Sequence, residues 1–224
     1  MLGAAPQSLP FRDPNVARAV VLSRLTIAYN VVEAVLAVPL GVADESLALL
    51  GFGLDSLIEV ASAGLVLWRF SVPADARSAL EARERKATLG IGLLFCLLAL
   101  VTVVGALWRL WTRQAPETTL AGIVISTASL SFMVYLWRAK KRVAVALDSS
   151  TMASDAACSL ACIQLSVVLL AGSLLFAVAP ALWWADAMAA LGLAALIARE
   201  GVEMVRASRK PEFSGGCGCR TSCD

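Results

Sequence analysis

The chain has 224 residues, of which 59% are hydrophobic and 16% charged, and its formal net charge is +2. Since a soluble domain carries about 25% charged residues, this composition excludes an ordinary water-soluble globular protein and indicates a membrane protein. The chain has no His and no G-x-x-x-x-G-K-[ST] phosphate loop, which argues against His-dependent hydrolytic chemistry and against ATP hydrolysis.

Six apolar stretches follow one another, and each is long enough to cross a bilayer, which takes roughly 17–25 residues. They lie near residues 20–40, 46–70, 88–111, 118–138, 150–179 and 182–205. We therefore predict an all-α membrane protein with six transmembrane helices in one domain, residues 20–208. Residues 1–19 form a predicted cytoplasmic segment without the apolar core of a signal peptide, and residues 209–224 a predicted cytoplasmic Cys-rich tail. The charged segment 71–87 is predicted to extend the third helix beyond the membrane.

Basic residues sort to one side of this six-span arrangement. Every Arg and Lys except Arg109 and Arg113 falls on the side that carries both termini. Because basic residues are retained on the cytoplasmic side of a membrane, we expect both termini to be cytoplasmic. The sorted residues include four that we assign to the connection between spans 4 and 5: Arg138, Lys140, Lys141 and Arg142.

The second span carries two carboxylates, Asp55 and Glu59, at i,i+4 spacing. That spacing places both on one face of a helix, at a depth from which short side chains reach the interface poorly. Charges at bilayer depth are costly and usually functional, so we interpret the pair as cation ligands. The alternative is a structural hydrogen bond between helices. Gly51 and Gly53, one turn earlier, would let a neighbouring helix or an ion approach the backbone closely.

The fifth span carries two thiols with the same spacing, Cys158 and Cys162, and Asp155 lies one turn before them. Cysteine also packs well as a small apolar residue, which is the alternative interpretation. Thiolates are natural ligands of soft metals, so we predict that both cysteines are ligands. Asp155 is predicted to lie where the ion enters, or to support the ligands from outside.

The last residues, SGGCGCRTSCD, contain Cys217, Cys219 and Cys223. Thiols in the cytoplasm stay reduced, so we interpret this tail as a flexible segment that captures a soft ion. The alternative is an unstructured tail whose cysteines have no role.

Other polar residues in the spans are less informative. Asn30 and Glu33 in the first span could line the same pathway, or Glu33 could pair with a basic residue or hydrogen-bond across helices. Cys96 is interpreted as packing, and Asp186 as a carboxylate suited to a helix N-terminus. We expect a solvated, salt-bridged helix end from Glu81, Arg83, Glu84, Arg85 and Lys86.

Together these segments resemble the transmembrane domain of the cation diffusion facilitator (cation efflux) family over nearly all of residues 20–208. The resemblance rests on YNVVEA in span 1, SLALLGFGLDSLIEVASA in span 2, ARERKATLG before span 3, SDAACSLAC in span 5 and WWADAMAALGLAALIAREGVEMVRAS in span 6. It implies a homodimer of six-helix subunits with a tetrahedral site between helices 2 and 5, which binds zinc-like divalent ions and exchanges them for protons.

By position, Asp55 and Glu59 match the acidic pair of the family's helix 2, and Cys158 and Cys162 occupy the places of its helix 5 His and Asp. The two thiols depart from the family pattern. So does the Cys-rich tail, which stands where the family has a cytoplasmic metal-binding domain after helix 6. The resemblance therefore implies the metal site but not its selectivity.

From these features we expect a secondary transporter, and not an enzyme, that exports Zn²⁺, Cd²⁺ or Hg²⁺ by proton antiport. Its partners are the metal, protons and the lipid bilayer, and we expect no nucleic acid and no resident cofactor. We expect a homodimer in the plasma (inner) membrane of a bacterium. Three alternatives remain at this point: a transporter of Cu(I) or another soft monovalent ion, a membrane metal sensor or buffer, and a membrane enzyme, which the absence of His disfavours.

Overall fold

The computed structural model describes residues 14–43, 47–71, 77–113, 120–211 and 213. Within these residues the chain forms six long α-helices, with a short 3-10 turn at Pro180–Leu182 before the last of them. The helices are α1 (Pro14–Ala43), α2 (Leu47–Phe70), α3 (Arg77–Thr112), α4 (Leu120–Leu147), α5 (Ser150–Val178) and α6 (Ala185–Arg209). The predicted all-α class with six helices is confirmed.

Three of the described helices contain a segment that is long and apolar enough to cross a membrane: Pro14–Pro39, Ala79–Thr112 and Ser150–Phe176. The bundle also exposes large apolar side chains on its outside, such as Val35 (64% exposed) and Leu196 (61% exposed). Extensive apolar exposure is unusual on a soluble monomer and suits a lipid-facing surface. The number of spans and the side of the termini stay predictions.

The helices α2 and α5 meet inside the bundle. Here α1 packs against α2, α3 against α6 and α4 against α5, while α5 also contacts α2, α3 and α6. One buried apolar cluster joins Ile58 of α2, Phe95 of α3, Leu165 of α5 and Ile197 of α6. Side chains on the facing surfaces of α2 and α5 are therefore shielded from the surroundings by the other helices.

Glycines permit two of the close helix contacts. A Cβ on Gly53 would lie 2.5 Å from Val38 Cγ2, so α1 approaches α2 at this position, as the sequence predicts for Gly53. A Cβ on Gly201 would lie 2.8 Å from Phe95 Cβ and 2.9 Å from the Gly92 carbonyl oxygen, where α6 crosses α3. In both places a larger residue would push two helices apart.

Helix α3 begins at Arg77, so residues 77–87 of the charged segment extend the third helix, as predicted, and residues 72–76 lie outside the described part of the chain. At about 1.5 Å per residue α3 is about 54 Å long, well beyond the roughly 30 Å hydrocarbon core of a bilayer.

The assignment of residues 138–142 to a connection is wrong. Helix α4 continues to Leu147, and the connection to α5 is only Asp148 and Ser149. No Gly or Pro interrupts residues 123–147, so nothing in this stretch ends the helix. Asp148 has a φ of 46°, a left-handed conformation that Asp tolerates. Ser149 then caps α5, because its hydroxyl accepts a 3.2 Å hydrogen bond from Met152 N.

Candidate metal site

Polar side chains pair along the contact between α2 and α5. Cys162 Sγ donates a hydrogen bond to Asp55 Oδ1 at 3.0 Å, and Ser62 Oγ donates one to Asp155 Oδ1 at 2.6 Å. Two helical turns separate these pairs on each helix, so the two helices run antiparallel in one register. Glu59 lies between the pairs on the same face of α2.

The four predicted ligands come together in this register. A Glu59 carboxylate oxygen and the sulfurs of Cys158 and Cys162 all lie within 4.8 Å of one another, and Asp55 contacts Cys162. Ligands of a tetrahedral zinc ion, bound at about 2.0–2.3 Å, are about 3.3–3.8 Å apart. A small contraction of the cluster would therefore suffice to bind such an ion.

The cluster is buried and incompletely hydrogen-bonded. Glu59 is 1% exposed and Cys158 0% exposed. Among the described residues, no group donates a hydrogen bond to Glu59 Oε1. A buried carboxylate oxygen without a donor is unusual and costly in a folded protein, so a carboxylate that carries such an oxygen and lies beside two sulfurs suits a bound cation.

Helix α1 also contributes to the site. Asn30 is 1% exposed, and its Nδ2 donates to Glu59 Oε2 at 3.4 Å and to the Thr26 carbonyl oxygen at 2.9 Å. An amide held by its own helix in this way orients the Glu59 carboxylate through its Oε2. Asn30 thus lies beside the cluster, as one interpretation of the sequence proposed.

Glu33 is held by hydroxyl groups of its own and neighbouring helices. Ser56 Oγ donates to its Oε2 at 2.8 Å, and Ser129 Oγ donates to its Oε1 at 2.7 Å. Tyr29 Oη adds a 3.2 Å hydrogen bond to Oε1. Of the alternatives for Glu33, the structure shows the hydrogen bonds across helices.

Lys140, which the sequence pattern assigned to the connection between spans 4 and 5, is a further residue of this region. Lys140 is fully buried on α4. Its Nζ lies 3.0 Å from Asp155 Oδ2, 2.9 Å from Ser159 Oγ and 3.9 Å from Glu59 Oε2.

A helical pattern could have revealed this position. Lys140 shares a face of α4 with four buried apolar residues, whereas Arg138, Lys141 and Arg142 are exposed. The buried residues on that face are Met133, Leu136, Val143 and Ala144.

Asp155 is fully buried, and its carboxylate already contacts Ser62 and Lys140. Of its two predicted roles, this position suits support of the ligands from outside better than an entrance for the ion.

Glu84 corrects another prediction, that of a wholly solvated helix end. Glu84 is 2% exposed, and its Oε1 accepts hydrogen bonds from Ser149 Oγ at 2.6 Å and from Thr151 N at 2.8 Å. Its other oxygen pairs with Arg69 Nε. Carboxylates are stabilised at a helix N-terminus, and Glu84 takes this place at the start of α5. Its neighbours Glu81 and Lys86 are exposed.

Two further candidates, Cys96 and Asp186, lie on helices α3 and α6 and not on α2 or α5. Cys96 is partly buried, near the crossing of α3 and α6, and Asp186 lies in the first turn of α6. The three tail cysteines, Cys217, Cys219 and Cys223, lie outside the described residues.

Comparison with known proteins agrees with this architecture. Residues 23–210 match the cation efflux transmembrane domain. Transmembrane protein 163 of Xenopus laevis is 33% identical over 126 residues, which cover 52% of this chain and 44% of that protein. The chain thus spans less than half the length of this curated relative. Because the family match covers most of the sequence, the chain belongs to the cation efflux family of integral membrane proteins.

Proposed function

We propose that this protein exports a divalent heavy-metal cation of the zinc, cadmium or mercury class in exchange for protons. The observation that supports it most directly is the buried cluster of Glu59, Cys158 and Cys162, with their ligand atoms within 4.8 Å of one another, beside Asp55. Two carboxylates and two thiolates suit a soft or borderline dication in four-coordinate geometry.

The hydrogen bond between Cys162 and Asp55 supports proton exchange. The thiol is the donor of this bond, which corresponds to the protonated, metal-free form of the site in the proposed cycle. A thiol titrates ordinarily near 8.5 and binds a metal as thiolate, so metal binding at neutral pH displaces protons. In the proposed cycle the metal binds from the cytoplasm, the bundle opens to the opposite side, and reprotonation of the ligands releases the ion.

The membrane arrangement is part of the proposal. All six helices cross a bacterial inner membrane, both termini are cytoplasmic, and two chains form a homodimer. The tail cysteines, Cys217, Cys219 and Cys223, bind the ion before it reaches the cluster.

Metal flux into proteoliposomes tests the proposal. Purified protein is reconstituted with a metal-sensitive dye inside, Zn²⁺ or Cd²⁺ is added outside, and a pH gradient is imposed in either direction. We expect flux that depends on the gradient and is lost in the Asp55→Ala, Cys158→Ala double variant. Cys96→Ala is the matched control, because it removes a thiol outside the cluster and should retain flux. Unchanged flux in the double variant would contradict the proposed site.

A second experiment separates the tail from the cluster. Metal analysis of the full chain and of a chain without residues 214–224 measures how many ions each binds. We expect the shortened chain to retain the ion bound by Asp55 and Glu59. Competition between Zn²⁺, Cd²⁺ and Cu(I) for that ion tests the dication assignment: preference for Cu(I) would favour the soft monovalent alternative, and binding without flux a sensor or buffer.

A further inference from the structure

Lys140 brings a positive charge into the region where a cation substrate is proposed to bind. Its ammonium group is fully buried and contacts Glu59, one of the proposed ligands, as well as Asp155 and Ser159. A buried Lys without partners would be very costly, but this one has two carboxylates and a hydroxyl.

We propose that Lys140 is a tethered internal cation that competes with the transported metal for Glu59, and that Asp155 is its counter-ion and not a metal ligand. This inference rests on the proposed function, since it concerns the same cluster. It assigns Lys140 and Asp155 as residues that set the affinity of the site.

The unequal distances around Nζ support this division of roles. The ammonium donates a hydrogen bond to Ser159 Oγ at 2.9 Å and forms an ion pair with Asp155 Oδ2 at 3.0 Å, an oxygen that accepts no hydrogen bond from the described residues, whereas Glu59 Oε2 is 3.9 Å away. Helix α5 therefore holds the ammonium at short range, and Glu59 makes only a longer contact with it. That looser contact is the one that a metal ion on Glu59 could replace without detaching Lys140 from its anchor.

The charge of Lys140 is expected to weaken metal binding. Two cations a few ångströms apart repel strongly where water is excluded, so a metal ion on Glu59 is destabilised by the ammonium. When the metal is absent, the same ammonium balances part of the charge of Glu59 and Asp155, which would otherwise repel each other. Lys140 thus stabilises the metal-free bundle and weakens metal binding, which favours release of the exported ion.

Asp155 controls how far the ammonium reaches toward Glu59. With Asp155 in place, Lys140 is held back by its shorter contact. If Asp155 lost its charge, Lys140 would have Glu59 as its remaining carboxylate partner among the residues that form its described ion pairs. Metal binding would then have to break a stronger contact.

A cycle of single and double variants tests this arrangement. The full chain carries Ser at Cys217, Cys219 and Cys223, so that the tail does not bind metal, and Zn²⁺ affinity is measured in detergent by competition with a chromogenic chelator. We expect Asp155→Asn to weaken Zn²⁺ binding about tenfold, and Lys140→Met to tighten it about tenfold. The Lys140→Met, Asp155→Asn double variant should bind at least as tightly as wild type. Lys140→Arg keeps the charge and should bind no more tightly than wild type.

The double variant keeps the test decisive. Removing both members of a buried ion pair is tolerated far better than removing one, so this protein should fold even where Lys140→Met does not. If the double variant stays as weak as Asp155→Asn, Asp155 binds the metal itself and the inference is overturned. If Lys140→Met weakens binding, Lys140 supports the ligands and does not compete. If wild type and Glu59→Gln bind Zn²⁺ equally, the proposed site fails, and the inference fails with it.

Discussion

Two buried carboxylates in this bundle, Glu84 and Glu59, have opposite surroundings. Both oxygens of Glu84 are engaged, one by the start of α5 and the other by Arg69. Glu59 has a distant amide and a distant ammonium on one oxygen and no described hydrogen bond on the other. A polar network in which every group is hydrogen-bonded makes a structure rigid, whereas an incompletely hydrogen-bonded one leaves acceptors available for a ligand. Glu84 therefore has the surroundings of a structural contact, which we call the clamp, and Glu59 those of a binding site.

The contacts of Glu84 and the proposed metal ligands share one helix, α5. The clamp of Arg69, Glu84 and Thr151 ties α2 and α3 to the first turn of α5. Cys158 and Cys162 lie two to three turns further along the same helix. Helix α5 is continuous between them, but the thiols keep their own contact with α2 through the hydrogen bond from Cys162 to Asp55.

Loss of transport at Glu59 is the largest expected effect. Glu59→Gln keeps the shape but removes the charge, and we expect metal flux in proteoliposomes to fall by at least about 100-fold. Unfolding in detergent should occur at or above the wild-type temperature, because a costly buried charge has gone. A strongly destabilised variant with near-normal flux would mean that Glu59, like Glu84, has a structural role.

Removal of Glu84 should have the opposite pattern. Glu84→Ala leaves Arg69 without its partner and Thr151 N without its acceptor, so we expect a loss of about 3 kcal/mol in the free energy of unfolding, measured by denaturant titration in detergent. The Zn²⁺ affinity of the folded protein should change by less than about threefold. The Arg69→Met, Glu84→Leu double variant is the control and should be less destabilised than Glu84→Ala.

A close contact at a glycine tests how tightly α6 packs against α3. A Cβ on Gly201 would meet Phe95 and the backbone of α3, whereas one on Gly192 of the same helix would meet nothing within 4 Å. We expect Gly201→Ala to cost about 1–3 kcal/mol of stability and Gly192→Ala to add about 0.5–1 kcal/mol. Similar unfolding free energies for the two variants would show that α3 and α6 are not closely packed.

The smallest expected effect concerns the selectivity of the site for Cd²⁺ over Zn²⁺. Cys158→Ser and Cys162→Ser each replace a soft ligand by a hard one, so we expect the preference for Cd²⁺ over Zn²⁺ to fall by about tenfold. Competition binding in the chain with a Cys-free tail measures this ratio, and Cys96→Ser should leave it unchanged. An unaltered ratio in both cluster variants would mean that the thiols only pack.

Local patterns were sufficient for much of this protein. The length and apolar character of its stretches predicted six helices, since a helix depends largely on hydrogen bonds and side-chain spacing within one segment. The i,i+4 spacings also placed Asp55 with Glu59 and Cys158 with Cys162, because residues one turn apart share a helical face. That each pair faces the other follows from the antiparallel register of α2 and α5, which belongs to the fold.

The environment of the charged residues depends on how the helices pack. A basic run at 138–142 and a charged run at 81–86 are both typical of solvated segments, yet Lys140 and Glu84 are buried. Their partners lie on other helices: Asp155 on α5, Arg69 on α2 and Thr151 on α5. The free energy of burying a charge depends on what surrounds it in space. Local sequence patterns therefore predict the helices and the faces that carry the ligand pairs. The packing of the helices places the charges of Lys140 and Asp155 beside those pairs.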